Sequence, residues 1–113
     1  MSGSTSPSGR EMIEREVLRA LCQYFDDESF RADTLCLLAR YRFSAPDHQC
    51  IFDALHQVSA STPHALRQHL TARLNNMGFP EMDIEHLFQG SPFTIDKTTD
   101  LIRELLGSTG EPR

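Results

Sequence analysis

The stretch FSAPDHQCIFDALHQV, residues 43–58, decides how the rest of the chain folds. Pro46 suits the first position of a helix, because its missing N–H would have no intrahelical partner there and its fixed φ is already helical. Ser44 or Ala45 then sits at the cap. Ile51, Ala54, Leu55 and Val58 follow at helical spacing with Phe52 beside them, while Asp53, His56 and Gln57 fall on other faces. The spacing predicts one amphipathic helix of about three turns with its apolar side inward.

The same period recurs on both sides of this stretch. From Glu11 to Phe25 the apolar positions Ile13, Val17, Ala20, Leu21 and Tyr24 return every three or four residues, and Glu14, Arg15 and Arg19 are expected to leave the opposite side charged. The cluster Asp26, Asp27, Glu28 and Ser29 interrupts that pattern and puts negative charge where a helix N-terminus favours it. Phe30, Leu35, Leu37, Leu38 and Tyr41 then make a second helix. Beyond the central stretch, a Ser/Ala turn at residues 59–61 leads to Thr62 and Pro63, a cap followed by a first-turn proline.

The fourth helix carries Ala65, Leu66, Leu70, Arg73 and Leu74; Asn75, Asn76 and Gly78 stop it, Gly78 being free to take a left-handed conformation. Pro80 opens a short fifth helix with Ile84, Leu87 and Phe88 inward and Gly90 at its end. Thr94 caps a sixth, in which Ile95, Leu101, Ile102, Leu105 and Leu106 are periodic. The expectation is an all-α protein: a single compact bundle of about six short helices over residues 11–106 with short connections. Residues 1–10 form a Ser/Gly-rich tail with too little apolar surface to offset the entropy of ordering it, and residues 107–113 form a polar one.

A chain of 113 residues supports one core rather than two. Its net charge is −5, and ten of its eleven basic residues are arginine, Lys97 being the exception. That balance argues against binding a phosphate backbone, which needs a concentrated positive face. Cys22, Cys36 and Cys50 are odd in number and lie in apolar helical segments, so they read as buried thiols of a reducing compartment. No apolar run approaches the ~20 residues of a membrane span, and MSGSTSPSG lacks the basic and apolar parts of a signal peptide. A soluble, cytoplasmic protein is expected.

Candidate chemistry is sparse. His64 and His69 are five apart, which on a helix turns them about 140° from each other, and no HxxxH or CxxC pair replaces them. Neither a metal nor a cofactor is expected, and a Cys/His metal-dependent enzyme is the remotest of the alternatives. Asp47 and His48 are adjacent, so they point about 100° apart, and an Asp in the first turn is explained by the helix dipole. The chain has no GxSxG, no phosphate-cradling Gly-rich loop and no HExxH, which argues against an enzyme.

The fourth and fifth helices have the outline of a helix-turn-helix, hence the alternative of a small nucleic-acid-binding regulator. The second of them, however, would turn Glu81, Asp83 and Glu85 toward phosphates. Arg67 and Arg73, with His64 and His69, give the fourth helix a mildly basic outer side; these four are the candidate partner-binding residues, for a protein with acidic groups.

The order of these signals resembles the small all-α N-terminal domain of DnaB-type bacterial replicative helicases, a fold shared with the helicase-binding C-terminal domain of bacterial primases. In EREVLRALC, residues 14–22, Glu14 precedes the aliphatic pair Val17 and Leu18 and then Ala20 and Leu21, as in the opening helix of that family. RFSAPDHQCIFDAL, residues 42–55, resembles its more specific segment through Phe43, Pro46, His48, Ile51, Phe52 and Leu55, and HALRQHLTARL, residues 64–74, sits where its next helix lies. The likeness covers residues 14–74; Arg19 stands where the family commonly has glycine, and the phosphate-binding loop and motor domain are absent. The resemblance implies no ATP-driven activity. It implies a non-enzymatic protein–protein interaction domain, a replication-associated adaptor that docks on a helicase or primase or pairs with a second copy.

Overall fold

Every helix of the computed structural model packs on α1 (Gly9–Gln23). The structure describes residues 9–58, 62–82 and 84–107. Val17, Leu18, Ala20, Leu21 and Cys22 are completely buried, which gives α1 a wider apolar face than a surface helix needs. The helix takes in Gly9 and Arg10, which the sequence reading had left in the tail; residues 1–8 lie outside the described residues.

Helix α2 (Glu28–Leu37) is capped by Asp27, whose Oδ1 accepts from the Phe30 N–H at 3.0 Å. It stops four residues short of Tyr41, the expected end. Tighter bonds replace the α-helical pattern there, Ala39 N–H to the Cys36 carbonyl and Tyr41 N–H to the Leu38 carbonyl, so that Leu38 and Tyr41 still reach the core. Leu37 does not: it is 47% exposed in the last turn.

Helix α3 (Pro46–Leu55) begins at Pro46 as expected, with Ala45 as its cap residue and no capping side chain. It ends three residues before Val58, which is half-buried just beyond it. Phe43 stacks edge-on to Tyr41 and tilts against Phe52, with ring centroids 5.0 and 5.1 Å apart, tying the entry of α3 to the core.

Thr62 caps α4 (Pro63–Asn76) by accepting from the Ala65 N–H, and Leu66, Leu70 and Leu74 face inward. At its end Gly78 adopts φ 97°, the Gly78 N–H bonds the Asn75 carbonyl and the Phe79 N–H bonds the Leu74 carbonyl. These two bonds satisfy carbonyls that the helix itself leaves open. Residues 59–61, the expected turn before this helix, lie outside the described residues.

The expected fifth helix is not an α-helix. Only Glu85–Leu87 form a 3-10 turn, although Ile84 and Leu87 are buried as anticipated. The carbonyls are instead taken by α1: Arg19 Nε donates to His86 O at 3.2 Å, and Gln23 Nε2 to Leu87 O and Gln89 O. The last helix, α5 (Ile95–Gly107), is capped by Thr94 through the Lys97 N–H and packs on α1 and α2. It includes Gly107, placed in the tail by the sequence; residues 108–113 are not among those described. The described residues thus form an all-α bundle of five α-helices and one 3-10 turn, rather than six helices. No helix among them is long and apolar enough to cross a membrane.

Candidate functional site

Glu14 is the most heavily bonded side chain in the protein's interior, and it does not lie on a charged outer face. Counting from Glu14, Val17, Leu18 and Leu21 fall at three, four and seven residues on, so its position belongs to the apolar stripe. The side chain is fully buried. Its Oε2 accepts from the Tyr41 hydroxyl at 2.6 Å and the Ser44 N–H at 2.8 Å, its Oε1 meets His48 Nδ1 at 3.0 Å, and the Ser44 hydroxyl reaches both oxygens at 3.2 Å.

Burial raises the Glu14 pKa, but the hydrogen bonds from His48, Tyr41 and Ser44 together outweigh it and hold the carboxyl below its ordinary value. An ionised carboxylate only accepts, so His48 Nδ1 carries the proton. Burial, reinforced by Glu14, pushes the Tyr41 hydroxyl well above the usual phenol range.

A carboxylate beside an imidazole is the geometry of a general base, but a base must reach a substrate. Neither Glu14 nor His48 lines any of the grooves described below. The pair pins α1 to the entry of α3. Cys22 is buried and its thiol is raised far above normal by burial alone; Cys50 is half-buried and raised by burial, with Asp47 and Asp53 adding to the effect. Cys36, expected to be buried, is exposed, because it sits on the outer side of the shortened α2. Among the described residues no three His, Cys, Asp or Glu side chains gather closely enough to hold a metal.

The four residues chosen on α4 do not form one surface. Arg67 pairs with Glu85 of the 3-10 turn, both about half exposed. His69 and Arg73 line a shallow groove of about 260 Å³ with Gln57 and Val58. His64 is exposed at the start of the helix and lines none of these grooves. The basic side is therefore divided, one arginine facing the 3-10 turn and the other the end of α3.

A groove the sequence did not reveal runs between α2 and α5, with a volume of about 410 Å³. Phe30, Thr34, Ile95 and Ile102 form its floor and Leu37 its rim; Asp27, Asp33 and Cys36 border it, and no basic side chain among the described residues lines it. The Thr34 Oγ1 is buried without a hydrogen-bond partner. Its signal in the sequence was Leu37, which belongs to the core only if α2 continues to Tyr41. A third groove, of about 270 Å³, lies between α1 and α5 beside the exposed Met12 and Phe93 and is bordered by Arg15 and Glu16. Arg40 and Arg42 line a fourth, with Gln49 and Asp53.

Compared with models of protein families, with curated proteins and with solved structures, the chain matches none.

Proposed function

We propose that this chain is a non-enzymatic helical domain that binds other proteins. The observation that carries the reading is the α2/α5 groove, where Leu37 stands 47% exposed above an apolar floor. An apolar surface kept in water at a structured groove is the usual mark of an interaction site. The one carboxylate–imidazole pair described above is spent on internal hydrogen bonds, which also favours binding over catalysis.

The finer reading is an adaptor associated with replication, similar to the helicase N-terminal domain and docking on a helicase or primase. It rests on the resemblance of residues 14–22 and 42–55. Glu14 and His48, one from each stretch, bond to each other, so these residues fit a shared structural role.

An affinity pull-down from native cell extract at near-physiological salt, read by mass spectrometry, tests both levels. Recovery of helicase, primase or other replication proteins supports the adaptor reading. Recovery of unrelated proteins leaves the binding domain and removes replication; recovery of nothing but the chain itself reduces the reading to self-association.

A further inference from the structure

We infer that the α2/α5 groove receives an amphipathic helix of a partner protein, one that carries Lys or Arg beside its apolar stripe. The inference rests on the protein-binding reading above and adds the chemistry of the partner. The walls are two helices, and the ten residues of α2 span about 15 Å, enough to seat roughly three turns of a third helix. Phe30, Ile95 and Ile102 offer the apolar floor, and Leu37 offers a rim that loses water when the groove is filled.

Charge selects among apolar occupants. Asp33 is exposed at the rim with no cation among the described lining residues to neutralise it, while Asp27 at one end caps α2 by accepting from the Phe30 N–H. Arg31 is on the same helix but is committed elsewhere: it donates to the Phe25 carbonyl at 2.6 Å, lies over the Phe25 ring and approaches Glu28. Arg103 of α5 lies near Asp100. A partner with basic residues flanking its stripe gains from Asp33, and an acidic one is repelled.

The same charges disfavour other occupants. A second copy docked through this groove about a two-fold axis would bring two acidic rims together, and the chain as a whole carries −5. The Met12 and Phe93 groove, with Arg15 and Glu16 of opposite sign on its border, points to no particular partner charge.

The test uses the full chain, isotope-labelled, titrated with a synthetic Leu/Lys helix of about four turns and with its Leu/Glu counterpart. The Leu/Lys peptide is expected to shift the amide signals of Asp33, Thr34, Leu37, Ile95 and Thr99, and the Leu/Glu peptide to leave them in place. Leu37→Glu should weaken binding about tenfold. Asp33→Lys should reverse the preference between the two peptides. Both positions are exposed, so thermal melts of these variants should match the unmodified chain.

Shifts centred on Met12 and Phe93 or on α4, equal binding of both peptides, or indifference to Leu37→Glu would each overturn the assignment. The pull-down separates this failure from that of the broader reading. Partners retained by Leu37→Glu would remove the groove while leaving a protein-binding domain, whereas an unmodified chain that captures nothing would remove both.

Discussion

Glu14 shows how one residue can look like surface in the sequence and be interior in the structure. Its charge placed it on the outer face; its spacing to Leu18 and Leu21 placed it on the inner one, and the spacing was the better guide. What the sequence could not supply was the set of partners, since Tyr41, Ser44 and His48 lie 27 to 34 residues away. Ser44 illustrates the same limit. It was a candidate helix cap, and its hydroxyl serves Glu14 instead.

Removing the carboxylate with Glu14→Ala leaves a buried imidazole, hydroxyls and N–H groups without their acceptor, and should cost about 3–5 kcal/mol in denaturant unfolding. The pH dependence follows from the depressed pKa of Glu14. A carboxyl lower in the folded than in the unfolded chain adds stability that is complete above the unfolded value, about 4.3, and that is lost as pH falls through the folded value. The difference in unfolding free energy between the unmodified chain and Glu14→Gln should therefore shrink below about pH 4 and stay constant toward neutrality. A difference that grows on acidification would contradict an ionised Glu14.

At the scale of elements, the punctuation was legible and the interior edges were not. Pro46, the pair Thr62 and Pro63, Gly78 and Thr94 each mark a boundary that the structure keeps, because caps and prolines act within one turn of chain. Helix α2 ends early and Glu85–Leu87 make only a 3-10 turn, because those outcomes depend on side chains of α1 and on where Tyr41 must go. The apolar periodicity of Ile84 and Leu87 was read correctly as burial and incorrectly as helix, since a 3-10 turn buries the same positions.

Arg19 and Gln23 are four apart on α1 and together hold this segment by its carbonyls. Substituting both by alanine removes three hydrogen bonds and should cost about 1.5–4.5 kcal/mol, at about 0.5–1.5 kcal/mol per bond. The loss should appear as faster hydrogen exchange in residues 84–89 with α1 unchanged. Gly78→Ala meets no steric obstruction, but its φ of 97° strains any side chain, so a loss of about 1 kcal/mol is expected in the melting of α4.

For the whole molecule, an all-helical bundle was readable from periodicity, and a single core from length. The binding surfaces were not, because a surface is defined by what the other elements leave uncovered. Arg67 and Arg73 were chosen as a pair on one helix, and the fold gives them different neighbours. Charge reversal at both should weaken capture of an acidic partner if α4 is an interface. The cost in stability should be small, since a half-exposed pair such as Arg67 and Glu85 is worth about 0–1 kcal/mol. Unchanged capture would remove the α4 face and leave the α2/α5 groove as the remaining candidate.

The central place of α1 also bears on how the protein is made. The first of the described helices to leave the ribosome packs against the last of them, α5, as well as against those between. The buried face of α1 must then wait for α5 before its surroundings are complete. Until residue 48 has emerged, that face also carries Glu14 without Tyr41, Ser44 and His48 beside it. Synthesis that stalls before Ile95 should release fragments that aggregate or are captured by chaperones, rather than smaller folded domains.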